Sequence, residues 1–254
     1  VFDTSYHQTM PRHAFLYGIP YRFYEKDRLR RYGFHGTSHR FVSERAAELL
    51  KKPYNLCKLI SCHLGNGCSM VAIDGGHSID TSMGHTPLEG LVIGTRCGDL
   101  DPAVILHIMK RYELTVPEAD NLLNKHSGVL GLSGESSDFR DLEEGWPNRS
   151  ERANLALEVY AYRIRKYVGA YMAALNGCDA LIFTAGVGEN SSILRSIVLK
   201  DMEFLGIRMD ADLNEKVCHG AEGFITTPDS RVKVLVVPTN EELVIAEDTH
   251  NIVK

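Results

Sequence analysis

The 254-residue sequence lacks the features that mark several classes of protein. No apolar run approaches the roughly 20 residues that a membrane span needs. Its 28 basic and 33 acidic residues give a net charge of −5, so no basic excess is present to attract nucleic acid. The six cysteines show no spacing typical of a disulfide framework or zinc site. We therefore expect a cytoplasmic protein with reduced thiols and with neither a membrane nor a nucleic-acid partner.

Motifs of common nucleotide-binding folds and of covalent catalysts are missing as well. Neither GxGxxG nor GxxxxGK[ST] occurs, so the residues that define a Rossmann or a P-loop nucleotide site are absent from the sequence. No pattern points to a Ser-His-Asp triad or an activated cysteine. The sequence opens at Val1 with neither an initiator methionine nor a charged-then-apolar leader. We expect that further chain precedes it.

The sequence does contain strands and helices in alternation, which is typical of an α/β domain. Apolar runs and helical periodicity predict strands over 58–63, 69–73, 180–184 and 233–237, and helices over 38–51 and 102–112. The longest helix should begin at a capping box of Asn148 and Glu151 and stop at Asn176-Gly177. A second box, Thr239 to Glu242, should begin a last helix that runs to the end. We interpret the apolar and aromatic stripe of the longest helix as a buried core face.

Two glycine turns directly follow predicted strands. HLGNGCS (63–69) could hold phosphate oxygens with backbone amides, or could be a plain hairpin turn, since Asn-Gly is the commonest hairpin signal. FTAGVGEN (183–190) could place an anion at a helix N-terminus, or could merely ease a strand-to-helix turn. Two such turns at strand ends favour a phosphate site assembled from several loops.

Three further segments carry candidate polar groups. Arg96 lies among small residues in GTRCGD (94–99), where it could form a fork with phosphate or carboxylate oxygens, or a surface ion pair. The histidines of GFHGTSH (33–39) do not match a zinc site. They could donate to an anion, or be incidental to a capped helix start. Asp3 and Glu241 could hold nucleotide-bound Mg²⁺, although Glu241 is also a simple helix-dipole partner.

Taken together, these segments resemble the acetate kinase family over essentially the whole chain. The matching stretches are VFDTSYHQTMP, RRYGFHGTSH, LISCHLGNGCSMVAIDGG, DTSMGHTPLEGLVIGTRCGDLDP, SGESSDFRD, FTAGVGEN and VVPTNEELVIA. That family belongs to the actin-like ATPase superfamily. The resemblance therefore implies a ribonuclease H-like α/β fold, with a mixed central sheet flanked by helices.

The resemblance also implies an activity, reversible transfer of the γ-phosphoryl group of ATP to acetate, with Mg²⁺ as cofactor and acetyl phosphate and ADP as products. It assigns a role to each matching residue. His35 and Arg96 would bind the phosphoryl group, and Phe34 and Pro87 would form a pocket for the acetate methyl. Asp3 and Glu241 would bind Mg²⁺. The nucleotide would be bound by His63, Asn66, Gly67, Asp138, Phe139, Arg140, Gly186, Val187, Gly188 and Asn190.

The sequence departs from the family by lacking its opening strand, its Gly/Ser-rich phosphate loop, and an upstream Arg and His. We expect residues 1–238 to be the C-terminal nucleotide- and substrate-binding part. Residues 239–254 would begin a helix that returns to a missing N-terminal domain. By itself the chain should be inactive, and a homodimer through this C-terminal part is plausible. A non-catalytic nucleotide-binding module is the alternative for the isolated chain.

The acid and the phosphoryl donor each have an alternative. A propionate or butyrate kinase is an alternative, since one methylene in an apolar pocket is worth only roughly 1–3 kcal/mol. The sequence leaves open whether the phosphoryl donor is ATP, another nucleoside triphosphate or pyrophosphate.

Overall fold

A six-stranded mixed sheet forms the centre of the computed structural model, which describes residues 2–253. The strand order is β3-β2-β1-β4-β6-β5. The strands are β1 (Lys58–Leu64), β2 (Cys68–Asp74), β3 (His77–Thr81), β4 (Ala180–Thr184), β5 (Gly223–Phe224) and β6 (Lys233–Val236). Antiparallel pairing joins β1 to β2, β2 to β3 and β5 to β6, whereas β1, β4 and β6 run parallel. The carboxyl ends of the three parallel strands therefore meet at one edge of the sheet.

Helices cover both faces of this sheet. They are α1 (Arg12–Phe15), α2 (Arg22–Asp27), α3 (Gly36–Leu50), α4 (Pro102–Tyr112), α5 (Val116–Lys125), α6 (Gly128–Ser133), α7 (Phe139–Glu143), α8 (Glu151–Ala174), α9 (Ala185–Asn190), α10 (Ser192–Leu199), α11 (Ala211–Lys216) and α12 (Glu241–Val253). Short 3-10 helices span Ser5–Thr9, Tyr54–Leu56 and Glu203–Leu205. In the part of the chain that the structure describes, no helix is both long and apolar enough to cross a membrane.

The side chains of β1 alternate between two hydrophobic cores. Ile60, Cys62 and Leu64 point into the larger core, which α8 covers. Leu59 points into the smaller core on the opposite face, which α3 covers through residues such as Val42. A strand buried on both faces is expected to be apolar throughout, which accounts for the continuous apolar run that predicted it.

Most of the predicted elements are confirmed. The four predicted strands and the helices over 38–51 and 102–112 are present to within two residues at each end. Asp101 begins α4, since its side chain accepts from the Ala103 N–H at 2.9 Å. The stripe on α8 is core as expected, with Tyr160 fully buried. The mixed sheet with helices on both faces is the α/β architecture that the resemblance implied.

Both predicted capping boxes are wrong. Ser150 caps α8, since its hydroxyl accepts from the Ala153 N–H at 3.1 Å, while the Asn148 N–H is used in a turn to the Gly145 carbonyl. At α12 the cap is Asn240, whose Oδ1 accepts from the Leu243 N–H at 3.0 Å. In each case a residue nearer the first helical turn competes successfully for the free N–H groups.

Candidate functional site

A cleft of about 920 Å³ opens where β1 and β4 end. Five segments contribute to it: the β1–β2 turn, the segment before α6, α7 with the residues before it, α9 with the residue after it, and the loop that carries His219. The lining residues are Gly65, Asn66, Gly94, Thr95, Arg96, Ser137, Asp138, Phe139, Arg140, Glu143, Gly186, Val187, Asn190, Ser191 and His219. The carboxyl edge of parallel strands is where open α/β sheets bind ligands. Seven of the predicted nucleotide-binding residues and Arg96 thus share one cleft.

The β1–β2 turn is a hairpin that also faces this cleft. Gly65 donates its N–H to the Gly67 carbonyl at 3.0 Å, which closes the turn, and Gly65 and Asn66 line the cleft. Gly67 instead lies against His35, where an added Cβ would stand 2.8 Å from His35 Nε2. The two interpretations of this sequence motif are therefore compatible, because the turn is a hairpin and its outer side forms a wall of the cleft.

On the other side, β4 runs directly into the short helix α9. Ala185, at the junction, has a left-handed φ of 64°. Its N–H donates to Glu189 Oε1 at 2.7 Å, and the same carboxylate oxygen accepts from the Thr239 N–H at 3.1 Å. Glu189 thus fixes this strand-to-helix turn to the start of α12. Gly186, Val187 and Asn190 line the cleft, whereas Gly188 is buried behind it.

Arg96 lies on a tight loop held by the start of α6. The Val129 N–H donates to the Ile93 carbonyl at 2.9 Å. Gly128 has φ +65°, and an added Cβ there would lie 2.1 Å from the Ile93 oxygen, so only glycine fits. Within the described residues, the Arg96 guanidinium forms one long hydrogen bond, of 3.4 Å, to the Pro87 carbonyl. Arg96 therefore does not form the surface ion pair that was the alternative, and its positive charge is available to a ligand in the cleft.

The third loop carries Asp138, Phe139 and Arg140. Asp138 caps α7 by accepting from the Arg140 N–H at 2.9 Å, and it forms an ion pair with the Arg140 guanidinium at 2.6 Å. These hydrogen bonds lower the pKa of Asp138. The Arg140 side chain is nonetheless 90% exposed, so it can turn to a ligand. Phe139 packs mainly inward, with its ring centroid 4.6 Å from that of Tyr160.

His35 and His63 lie behind the hairpin turn rather than on the surface of the cleft. Their rings stack at 4.1 Å. His35 precedes α3 with a left-handed φ of 57°, and its N–H donates to Asp3 Oδ2 at 2.6 Å. A left-handed backbone at a residue other than glycine is a strain that tends to occur at functional sites. Burial, and then the nearby Arg96 charge, lowers the pKa of His35 although Asp3 opposes this.

Asp3 and Glu241 come from opposite ends of the described chain and lie near one another. Burial raises the pKa of Glu241, and the negative charge of Asp3 raises it further. A cation between two such carboxylates would relieve their repulsion, so this donor pair fits Mg²⁺. Among residues 2–253 no group of three or more His, Cys, Asp or Glu side chains could hold a metal ion. Mg²⁺ at this pair would need water and phosphate oxygens to complete its coordination.

Phe34 and Pro87 do not line the cleft. Phe34 is half-buried and packs against the larger core, and its carbonyl accepts from His7 Nε2–H at 2.9 Å. The Pro87 carbonyl faces Arg96. The structure thus associates Pro87 with Arg96, and Phe34 directly precedes His35 in the chain.

Seven lining residues were not predicted: Gly65, Gly94, Thr95, Ser137, Glu143, Ser191 and His219. Burial raises the pKa of Glu143, which accepts a hydrogen bond from the Ser191 hydroxyl. The His219 N–H donates to Asn190 Oδ1 at 2.9 Å and so ties a distant loop to α9. Gly65, Gly94, Thr95 and Ser137 lie within motifs that the sequence analysis singled out, and Glu143 and Ser191 lie close to such motifs, so proximity could have found them. His219 stands in a stretch with no motif, and no local pattern points to it.

The mixed six-stranded sheet, with helices on both faces and a cleft at the carboxyl edge of its parallel strands, defines an α/β domain of the ligand-binding type. The model of the acetokinase family matches residues 1–247. The chain therefore belongs to the acetokinase family.

Individual relatives agree with this. The chain is 60% identical over 254 residues to the acetate kinase of Pseudothermotoga lettingae, with all of the chain and 62% of the relative covered. The crystal structure of Porphyromonas gingivalis acetate kinase superposes with a TM-score of 0.97 at 52% identity, covering all of this chain and 63% of that one. A propionate kinase from Francisella tularensis gives a TM-score of 0.91 at 43% identity, with 98% and 62% covered. The chain thus spans less than two thirds of the length of these relatives.

Proposed function

We propose that the chain is the nucleotide- and phosphoryl-binding part of an acetate kinase, which makes acetyl phosphate and ADP reversibly from acetate and ATP. The observation that carries this proposal is the convergence of five separate segments on one cleft with Arg96 in its wall. The relatives named acetate kinase support the choice of acetate and ATP.

Direct in-line transfer suits the groups that the cleft offers. Phosphoryl transfer requires positioning and positive charge or N–H donors around the equatorial oxygens, with little covalent help from the protein. Arg96 would supply charge, and His35, held beside Gly67, would supply an N–H. The substrate carboxylate is the nucleophile.

The remaining residues would bind the nucleotide, the metal and the acid. Asn66, Gly67 and His63 would lie by the phosphates. Asp138, Phe139 and Arg140 would line the adenosine pocket, with Gly186, Val187, Gly188 and Asn190 beneath the nucleotide. Asp3 and Glu241 would hold Mg²⁺, which supplies positive charge to the phosphates. Phe34 and Pro87 would shape the pocket for the acetate methyl.

We further propose that residues 1–254 do not complete the reaction by themselves. The family's opening strand and Gly/Ser-rich phosphate loop have no counterpart in this sequence, and the chain spans 62% of the Pseudothermotoga lettingae enzyme. A second segment would have to close over the cleft. A homodimer formed through this part of the chain belongs to the same proposal.

The test is acetyl phosphate formation from acetate and Mg-ATP, trapped as the hydroxamate. The chain would be assayed alone and mixed with a separately expressed N-terminal segment of the Pseudothermotoga lettingae enzyme. We expect activity only in the mixture, and Arg96→Ala should reduce it by about 10²–10³-fold. Arg208→Ala is the matched control, because Arg208 is exposed and pairs with Asp229. Equal effects of the two substitutions would contradict the role of Arg96.

Other outcomes would support the alternatives. Activity of the chain alone would disprove its dependence on a second segment. Binding of ATP with no hydroxamate in either sample would favour a non-catalytic nucleotide-binding module. The similarity to a propionate kinase makes propionate the second acid to assay. If propionate were turned over faster than acetate, the proposed substrate would become propionate, and the proposed site residues would stay the same.

A further inference from the structure

Four histidines behind the hairpin turn each have a serine hydroxyl within 3.0 Å of a ring nitrogen. Two of these pairs are joined. Ser69 Oγ lies 2.9 Å from His35 Nδ1 and 2.7 Å from His39 Nε2. The other nitrogen of His39, Nδ1, lies 2.9 Å from Ser61 Oγ. Ser61, His39, Ser69 and His35 therefore form one continuous hydrogen-bonded row, which we call the serine–histidine row.

The protons of this row cannot be placed independently. An imidazole that accepts a hydrogen bond at one ring nitrogen is neutral and carries its single N–H on the other nitrogen. The Ser69 hydroxyl has one hydrogen, and it contacts one nitrogen of each ring. Ser69 is buried and these nitrogens are its two side-chain partners in the described part of the chain, so its hydrogen has an acceptor only when Ser69 donates to one nitrogen and accepts from the other. The tautomer of His39 therefore sets the tautomer of His35.

Ser61 decides between the two arrangements. Its side chain is fully buried, and within the described part of the chain His39 Nδ1 is its one hydrogen-bond partner. If His39 carried its proton on Nδ1, the Ser61 hydroxyl would accept and its own hydrogen would be left without an acceptor. A buried donor without a partner is costly. In the favoured arrangement, the Ser61 hydroxyl donates to an unprotonated His39 Nδ1, and the His39 proton is on Nε2.

The rest of the row follows from this choice. His39 Nε2–H donates to Ser69, so the Ser69 hydroxyl donates to His35 Nδ1. His35 Nδ1 is then unprotonated, and the single N–H of the His35 ring is at Nε2. This atom lies against Gly67, in the turn that forms one wall of the cleft.

We propose that Ser61, His39 and Ser69 are positioning residues that hold His35 as its Nε2–H tautomer, so that the neutral ring presents its Nε2–H donor at Gly67, in the hairpin turn that borders the cleft. The opposite tautomer would present a lone pair, which repels phosphate oxygens. A neutral histidine can thus act as an anion-binding donor at pH 7. The tautomer itself follows from geometry alone, and its use for a phosphoryl group rests on the proposed function.

The test is to read the tautomers by two-bond ¹⁵N–¹H correlation spectra of the imidazoles in the ¹⁵N-labelled 254-residue chain at pH 7, without nucleotide. We expect Nε2–H at both His35 and His39. Ser69→Ala should shift the His35 Nδ1 resonance toward the protonated range as the second tautomer becomes populated. Ser69→Thr, which retains a hydroxyl, should restore the original spectrum. Ser69→Cys replaces Ser69→Ala if the latter does not fold.

Ser78→Ala is the matched control. Ser78 contacts His7 Nδ1 at 3.0 Å as Ser69 contacts His35, but the His7 tautomer is fixed by its bond to the Phe34 carbonyl. This substitution should leave the His35 resonances in place. A wild-type His35 protonated on Nδ1, or a folded Ser69→Ala chain with unchanged His35 resonances, would overturn the proposal. Because no substrate is added, failure of the kinase assay would count against the proposed function and not against the row.

Discussion

The imidazole rings of His35 and His63 stack with centroids 4.1 Å apart and planes inclined by 15°. His63 is 8% exposed, and its Nδ1 lies 2.8 Å from the Ser38 hydroxyl. Burial, and then the neighbouring His35, lowers the pKa of His63 to about 3. The stack is therefore a pair of neutral rings. A proton on either ring would place a charge in a region with little water to stabilise it.

Acid should consequently destabilise the folded chain through its buried histidines. Burial lowers the pKa of His7 to about 4, as it does that of His63, whereas a histidine in an unfolded chain titrates near about 6.5. Between about pH 6 and 5 the unfolded chain binds a proton at each ring that the folded chain does not. Stability should then fall as the pH falls, by up to about 1.4 kcal/mol per pH unit for each ring.

Substitution can separate these two contributions. His63→Phe retains a flat ring against His35, and His7→Gln retains hydrogen-bonding groups for Ser78 and the Phe34 carbonyl. Denaturant titrations from pH 6.5 to 5 measure how steeply the free energy of unfolding depends on pH. Each substitution should reduce this slope by up to about 1.4 kcal/mol per pH unit, which corresponds to one proton. The double variant should remove up to two. A slope unaffected by either change would mean that these rings are already charged in the folded state.

Gly67 should tolerate a side chain far less well than Gly65, although the two glycines share one turn. A Cβ at Gly67 would stand 2.8 Å from His35 Nε2, whereas at Gly65 the nearest atom is the Ala185 Cβ at 3.4 Å. His35 cannot readily move, because it is stacked on His63 and hydrogen-bonded to Ser69. We expect Gly67→Ala to cost about 1–3 kcal/mol by overpacking and Gly65→Ala to cost less.

The His35 imidazole resonances are the direct measurement for this pair, alongside the free energy of unfolding. They should shift in Gly67→Ala and stay close to their original positions in Gly65→Ala. Equal stabilities together with unchanged His35 resonances in both variants would contradict this prediction. They would show that the turn shifts away from His35 to make room for the added methyl group.

The sequence predicted the central strands and α8 because their patterns are strong. β1 and β4 are short apolar runs buried on both faces, and α8 repeats apolar residues at helical spacing over many turns. The strand β3 was not predicted. Its sequence, HSIDT, has one large apolar side chain, and it depends on antiparallel pairing with β2 rather than on its own composition.

The candidate site was predictable where its residues lie in contiguous loops at strand ends. Asn66, Gly186 and Arg96 are examples, and each lines the cleft. What the sequence could not give is contact between distant segments, such as His219 with Asn190 or Asp3 with His35. The serine–histidine row is of the same kind, since α3 supplies His39 while β1 and β2 supply Ser61 and Ser69. No local pattern encodes such contacts.

If Asp3 and Glu241 hold Mg²⁺ as proposed, removal of one of these carboxylates should make nucleotide binding less dependent on Mg²⁺. Burial raises the pKa of Glu241 and the negative charge of Asp3 raises it further, so a cation between the two carboxylates would be favoured. Glu241→Gln retains the shape and removes the charge. We expect the enhancement of ATP affinity by Mg²⁺ to fall by about tenfold, equivalent to about 1.4 kcal/mol. Glu242→Gln is the matched control on the next residue of α12.

Calorimetric titration with ATP, with and without Mg²⁺, measures this enhancement in each variant. If Glu241→Gln and Glu242→Gln behave alike, the carboxylate of Glu241 serves the helix dipole and the Mg²⁺ site lies elsewhere.

Arg195 is fully buried and holds together two segments that border the cleft. Its guanidinium donates to the carbonyls of Gly188 and Glu189 in α9 at 2.9 Å. It also donates to the carbonyls of Asn214 and Val217 at 2.6 and 2.9 Å, in the segment that leads to the lining residue His219. Burial lowers the pKa of Arg195, and Glu143 in the cleft wall opposes this.

Replacing Arg195 by lysine should therefore both destabilise the chain and loosen the cleft. Lysine keeps the charge but cannot reach all four carbonyls, because it lacks the planar fork of donors. Buried carbonyls left without donors should lower the free energy of unfolding by about 2–4 kcal/mol. Arg208→Lys, at an exposed ion pair, should change it by less than about 0.5 kcal/mol. Denaturant unfolding and ATP titration of both variants measure the two effects. If Arg195→Lys were as stable as Arg208→Lys and bound ATP normally, the positive charge of residue 195, rather than its fork of hydrogen bonds, would be what the fold requires.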